Sequence, residues 1–221
     1  MTDNFERYRE YIELCGGLPE DNEHGNLDKY YCIELMRRGK DNPDLPAANY
    51  HFRNYYIYSW RDLEKKEQEI KDICDLLRLR AYCSVNYKLM SQVALDTLAE
   101  SARRIAAHDY KKFYNIFESC SGKYTPQKDA KWVVDVDDTD MGLVKNTVYL
   151  HKLEEFINSM PSGHEINIIY TMPTKSGLHY ITHPFHLAQF QKEFREKFFY
   201  KDDVQIPTIK KNHLTLLYEN L

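Results

Sequence analysis

Apolar positions recur at helical or strand spacing along most of the chain. Two short helical candidates, Phe5 to Leu14 and Leu27 to Arg38, are separated by Gly16-Gly17-Leu18-Pro19 and followed by the breaker-rich stretch Gly39 to Pro46. Tyr55 to Ser59 is β-prone. It precedes a predicted helix over Asp62 to Leu77, in which Leu63, Ile70, Ile73 and Leu77 fall on one face. Arg80 to Asn86 alternates cleanly, with Ala81, Cys83 and Val85 on one side and Arg80, Tyr82, Ser84 and Asn86 on the other, as a strand with one polar face does. Ser91 to Ala107 reads as a helix with Ser91 as N-cap and Ala94, Leu98, Ala102 and Ile105 as its inward stripe.

The second half begins with a strand, Lys131 to Asp137, and a helix from about Tyr149 to Asn158 with Leu150, Leu153 and Ile157 inward. A hairpin follows, with Glu165 to Met172 and Leu178 to Thr182 as its arms and Pro173 to Gly177 as its turn. Leu187, Phe190, Phe194 and Phe198 then step at helical spacing, and extended segments close the chain around Val204 to Ile209 and Leu214 to Tyr218. The order is β-α-β-β-α-β, the signature of a split βαβ, ferredoxin-like or RRM-like unit. The expectation is an α/β protein in three parts: a helical N-terminal arm at 1–49 that contacts a partner protein, an α/β module at 50–124, and an RRM-like palm at 125–221.

Composition narrows the class. The chain has 221 residues, 43% hydrophobic and 29% charged, which is ordinary for a globular protein. Roughly 70% of the surface of a chain this long can be buried, so no staples are needed. Thirty Lys and Arg against 34 Asp and Glu give a net charge of -4, so any site for a polyanion must be local. The stretch from Arg103 to Lys131 is the most basic one, with seven Lys or Arg against three acids. It is either a nucleic-acid flank or a solvated face. Five widely spaced cysteines, with no CxxC pair, argue against a disulfide scaffold or zinc ribbon. The opening residues are polar, and no uncharged apolar run approaches ~18 residues, so a cytoplasmic protein with no membrane span is expected.

Candidate chemistry concentrates in two places. Trp132-Val-Val-Asp135-Val-Asp137-Asp138-Thr139-Asp140 is an apolar strand running into carboxylates. Alternation places Asp135 and Asp137 on one face, with Cα atoms about 6.6 to 7 Å apart. Such a pair repels itself unless a cation lies between, and an all-oxygen site suits Mg²⁺ or Mn²⁺. The plainer account is an acidic strand end that solvates itself and caps the next helix. The second place is Thr174-Lys175-Ser176-Gly177-Leu178-His179, where Gly177 permits close backbone approach and Lys175 and Ser176 are phosphate donors. In the expected sheet the first and third strands are neighbours, so Asp135, Asp137 and His179 would share one open face. Arg80, Asn86 and Lys88, on or just beyond the polar face of the upstream strand, are candidates to reach a triphosphate or template phosphate.

Together these residues resemble the archaeo-eukaryotic primase and primase-polymerase superfamily, whose palm carries a DxD motif, an SxH-like motif and a third acidic position. The resemblance covers about Lys131 to Tyr218. It implies a metal-dependent nucleotidyltransferase acting on nucleoside triphosphates and a DNA or RNA strand. It also implies Asp135 and Asp137 as metal ligands, Asp135, Asp137 and His179 as catalytic residues, Ser176 and His179 as nucleotide contacts, and two-metal attack of a 3'-hydroxyl on an α-phosphate. The third acid belongs on the last strand, but Val204 to Asn212 contains none. Asp202 and Asp203 just before it are the nearest candidates, with Asp203 taken as the third metal ligand; otherwise the triad is incomplete and the chain is a binding or inactive relative.

Two other readings compete. Asp135-Val-Asp137-Asp-Thr139 also resembles the opening motif of haloacid-dehalogenase-type phosphatases, with Asp135 as nucleophile, Thr171 after the next strand and a later Lys201, Asp202 and Asp203. That fold needs parallel strands with crossover helices. His213-Leu-Thr215 matches one HxT element of two-histidine phosphoesterases, for which His179-Tyr-Ile-Thr182 has the wrong spacing. His183 and His186 lack a third metal ligand nearby.

Overall fold

A computed structural model describes residues 1–21, 28–42, 44, 49–124, 126, 129–137, 147–198 and 206–220. It is a mixed α/β structure built on two antiparallel sheets. The chain opens with β1 (Thr2–Asp3) and α1 (Phe5–Leu14), then β2 (Lys29–Arg37), β3 (Tyr50–Ile57), α2 (Trp60–Leu77), β4 (Arg80–Ser84) and β5 (Lys88–Leu89). Two helices follow, α3 (Met90–Ala106) and α4 (Ile116–Lys123). The second half runs β6 (Trp132–Asp137), α5 (Thr147–Asn158), β7 (Ile168–Pro173), β8 (Gly177–Thr182), α6 (Leu187–Phe198), β9 (Thr208–Lys210) and β10 (Leu214–Glu219). The larger sheet has the order β1-β10-β4-β2-β3, with β5 pairing β2, and the smaller has the order β7-β8-β6-β9. No helix among the described residues is long and apolar enough to cross a membrane.

Local chemistry accounts for most of these elements. Ser59 caps α2 by accepting from the Asp62 N–H at 3.1 Å, and Asp62 in turn accepts from the Tyr58 N–H, a reciprocal cap that fixes the helix start. Leu63, Ile70 and Cys74 face inward from α2, one helical stripe. The smaller sheet has an apolar side on which Val134, Val136 and Tyr180 pack against Leu153, Phe156 and Ile157 of α5 and Phe190 and Phe194 of α6. Its other side carries Val133, Met172 and Ile181 into the core shared with α1, α2 and the larger sheet. Polar clamps hold the two sheets together. The Asn4 amide donates to the carbonyls of Pro173 and Leu216, and Asn86 both donates to the Lys131 carbonyl and accepts from its N–H.

Several sequence expectations are corrected. The segment expected as a helix over Leu27 to Arg38 is, from Lys29 to Arg37, the strand β2, lying between β3 and β4. Tyr30, Tyr31, Cys32, Ile33 and Leu35 are all buried, so both faces of this strand are covered. A strand buried on both faces shows a run of apolar residues and no alternation, and such a run is easily read as a helix. Among the described residues of the expected helical arm, α-helix occurs at α1 and a single 3-10 turn at Gly39–Asp41, while β1 and β2 belong to the larger sheet. Ser91 is not the cap of α3; the Asp28 carboxylate, just before the strand that pairs with β5, accepts from both the Ser91 N–H and its hydroxyl. The stripe expected to face inward from α3 points outward, with Ala94, Leu98, Ala102 and Ile105 exposed and Val93 the helix's buried residue. The polar residues of the β4 region are not on an open face either: Arg80, Asn86 and Lys88 are buried.

Candidate functional site

Strand β6 lies between β8 and β9 and is antiparallel to both. Its register sets Asp135 directly opposite His179 on β8 and Thr208 on β9. Residues opposite each other in a ladder project to the same face. The His179 Nε2 lies 3.0 Å from Asp135 Oδ1, and its Nδ1 lies 2.9 Å from the hydroxyl of Thr215 on β10 of the other sheet. With Asp135 ionised, the Nε2–H donates to the carboxylate, and the Thr215 hydroxyl is free to donate to Nδ1. The second oxygen of Asp135 accepts from the Lys210 ammonium at 2.6 Å. Burial raises the Asp135 carboxyl pKa, but the hydrogen bonds from His179 and Lys210 outweigh it and hold the group well below the ordinary carboxylate range.

The face at Asp135 and His179 is therefore covered rather than open. Thr215, fully buried, closes it from the larger sheet. Two residues further along β6, Asp137 stands exposed at the strand end, opposite Gly177. Lys175 and Ser176, both exposed, occupy the turn leading into Gly177. The Lys175 ammonium lies 3.8 Å from Asp41, which accepts from Arg80 at 2.6 Å. Arg80 also pairs with Glu219, so a buried chain of alternating charges runs from the larger sheet to the mouth of the turn. His213 stands near the same cluster, its ring centroid 6.3 Å from that of His179.

The sequence-predicted residues divide accordingly. Asp135 and His179 are brought together, and Asp137, Lys175 and Ser176 lie at the same end of the sheet. Asn86 clamps the Lys131 backbone, and Lys88 donates to the Ser121 carbonyl in the interior; these hydrogen bonds are structural. Arg80 is held by Asp41 and Glu219. Asp138, Thr139, Asp140, Lys201, Asp202 and the proposed third ligand Asp203 lie outside the described residues. Thr215, Lys210, His213 and Asp41 are the additions. The sequence signals for them are the HxT spacing of His213 and Thr215, in which Thr215 serves His179 on a different strand, and the basic Lys210-Lys211 pair, read as a nucleic-acid flank or a solvated face. His183 and His186 do not pair: His183 stacks on His164 with centroids 3.6 Å apart, and His186 caps α6 by accepting from the Gln189 N–H. Comparison of the chain with protein-family models, curated proteins and solved structures finds no match.

His213 supplies a prediction. Burial, followed by the Lys210 charge and the nearby His179 ring, lowers its pKa to about 4, with Asp135 opposing. An unfolded histidine titrates near 6.5, so between these values the unfolded chain binds more protons. The stability that follows from keeping His213 neutral is complete above pH 6.5 and is lost as pH falls toward 4. At pH 5 the expected loss is about 1 to 2 kcal/mol, or about 3 to 6 °C in Tm, by thermal denaturation in matched buffers. A His213→Gln variant is expected to flatten that slope. Equal slopes in the two proteins would assign the pH dependence elsewhere.

Proposed function

We propose that the protein is a divalent-metal-dependent nucleotidyltransferase of primase-polymerase type, joining a nucleoside triphosphate to a DNA or RNA strand. The observation that carries this reading is the cross-strand pair of Asp135 and His179, backed by Thr215 and Lys210, with Asp137 and the Lys175-Ser176 turn at the exposed end of the same sheet. The strand order β7-β8-β6-β9 is the one a split βαβ, RRM-like palm requires, and it supports the same reading. Both neighbours of β6 run antiparallel to it, which counts against the haloacid-dehalogenase-like alternative and its parallel sheet.

The metal of this reading is Mg²⁺ or Mn²⁺, although in the free protein both oxygens of Asp135 are taken by His179 and Lys210, and no group of three metal-ligating side chains is found among the described residues. Asp135 and Asp137 offer hard oxygens from one strand face, and such cations are commonly held by one or two carboxylates together with water and substrate phosphates. When bound, the metal neutralises charge on the reacting phosphate and on the attacking and leaving oxygens. The chain's own residues do the rest. Thr215 fixes the His179 ring, His179 fixes Asp135, and Lys210 neutralises Asp135 in the free protein. Lys175 and Ser176 present donors to phosphate oxygens at the mouth. In the overall reaction a 3'-hydroxyl oxygen bonds to the α-phosphorus and pyrophosphate leaves.

Calorimetric titration of Mn²⁺, with and without a nucleoside triphosphate, into wild type and Asp135→Ala/Asp137→Ala tests the reading. Nucleotide binding is expected to need both the metal and the aspartates, with affinity falling about 100-fold or more in the variant, a difference near 2.7 kcal/mol. Wild type that binds neither ligand overturns the reading and leaves an acidic, structural strand end.

A further inference from the structure

A cleft of about 500 Å³ opens at the end of the smaller sheet remote from Asp137. Lys131, on its wall, immediately precedes β6, whose last residue is Asp137, so the length of that strand, about 20 Å, separates the cleft from the proposed metal site. The end of α1, the start of β2, the connection from β4 to β5 and the lead into β6 meet there. Val85, Leu89 and Ile169 give it apolar walls, and the rings of Tyr31 and Tyr87 stand edge to face with centroids 6.5 Å apart. A cleft of this size, with aromatic walls and a few convergent polar groups, is the usual form of a small-molecule site.

Two ammoniums supply its charge. Lys29 donates to the carbonyls of Cys15 at 3.1 Å and Gly17 at 3.0 Å, which hold its Nζ 4.8 Å from the centre of the Tyr87 ring and 5.7 Å from that of Tyr31. An ammonium has three donors, so one is left over. Asn86 clamps both backbone groups of Lys131 and so fixes where that side chain starts. Neither lysine forms an ion pair among the described residues. Both charges bear on the Cys15 thiol in the cleft wall, where they work against the burial that raises its pKa. Against them the described lining sets a single acid, the exposed Asp129. His183, its pKa lowered to about 4 by burial and then by Lys131 and His164, adds a neutral hydrogen-bonding ring. A further signal comes from Tyr31, which is fully buried and whose hydroxyl has no hydrogen-bond partner among the described residues. A buried donor left without an acceptor costs stability, and a ligand oxygen would satisfy it.

We propose that this cleft binds a phosphate monoester carried on a flat ring, the class to which nucleoside monophosphates belong. Compact ammoniums act on phosphate as point charges, and two of them match a group of charge near -2. A carboxylate is better matched by the planar fork of an arginine, which the described lining does not contain. The half-buried Tyr87 supplies aromatic surface against which the ring packs. The site needs no metal and does not involve Asp135 or Asp137, so a chelator separates the two.

Calorimetric titration of adenosine monophosphate into the full chain in EDTA is expected to show one site with Kd below about 1 mM. Adenosine and inorganic phosphate, each lacking one half of the ligand, are expected to bind about tenfold more weakly or worse. Lys131→Met keeps the aliphatic stem and is expected to weaken the monophosphate about tenfold or more. It should melt as wild type does, because the Lys131 ammonium forms no ion pair among the described residues. Asp135→Ala/Asp137→Ala is expected to bind the monophosphate in EDTA as wild type does. No binding by wild type, adenosine bound as tightly as its monophosphate, or undiminished binding by Lys131→Met would each overturn the site. Loss of the metal-free binding in Asp135→Ala/Asp137→Ala would place the nucleotide at the other end of the sheet and overturn it equally.

Discussion

If the protein is the nucleotidyltransferase proposed above, Asp137→Asn is expected to abolish nucleotide transfer while leaving the fold untouched, whereas Asp135→Asn is expected to lose both activity and stability. The two carboxylates share a strand face but not an environment. Asp137 is exposed at the end of β6, so exchanging its charge for an amide alters little that holds the sheet together. Asp135 accepts from His179 and Lys210 in a site closed by Thr215. An amide there keeps one acceptor oxygen but presents its NH₂ to a second donor, leaving a partly buried ammonium or imidazole facing another N–H. Breaking such a pair costs about 3 kcal/mol, or about 6 to 12 °C in Tm for a chain of this size. On the proposed reading, both variants should fall by about 10³-fold or more in primer-extension assays with Mn²⁺, since each would remove a metal ligand from a site that works mainly by electrostatic stabilisation. Differential scanning calorimetry should separate them, with Asp137→Asn within about 1 °C of wild type. An Asp137→Asn protein that extends primers normally would remove the acidic pair from the chemistry.

Gly177→Ala is expected to be strongly damaging for the addition of a single methyl group. Gly177 begins β8 opposite Asp137, and a Cβ built on it would lie 2.0 Å from the Val136 carbonyl oxygen and 3.0 Å from the Asp137 Cα. These are backbone atoms of the neighbouring strand, so no side chain can swing aside to relieve the clash. The ladder between β6 and β8 must open at that end, and the opening is felt two residues away, where Asp135 pairs with His179. The expected cost is about 3 kcal/mol or more, with Tm lower by about 6 to 12 °C and nucleotide binding weakened together with stability. Ser176→Ala, one residue earlier on the exposed turn, is the control and should melt within about 1 °C of wild type. If Gly177→Ala melts within that same margin, the strands have room that the structure denies them.

Both predictions rest on elements that are legible locally. The run Trp132 to Asp137, followed in sequence by further carboxylates, identifies β6 and puts its two aspartates on one face through nothing more than the period of a strand. The hairpin of β7 and β8 follows from β-prone arms around a turn containing Pro and Gly, and the pairing of Asp135 with His179 follows from the order of elements once β8 is set beside β6. The site's other members are invisible at that level. Thr215 reaches His179 from 36 residues away on the other sheet, and Lys210 reaches Asp135 across 75 residues. Neither contact has a periodic signature.

By itself the sequence determined which segments are amphipathic, where most of them end, and that Asp135, Asp137 and His179 occupy strands of one α/β unit. Periodicity carries this information because it depends on neighbours within a few residues. Only the tertiary structure decided that Lys29 to Arg37 is a strand covered on both faces, that α3 turns its apolar stripe outward, that Arg80, Asn86 and Lys88 hold the interior together, and that β10 leaves the smaller sheet to close over His179. Burial on both faces erases alternation, and an amphipathic stripe records that a surface is apolar without recording what covers it. Contacts between distant segments depend on how the sheets pack, which no local pattern encodes.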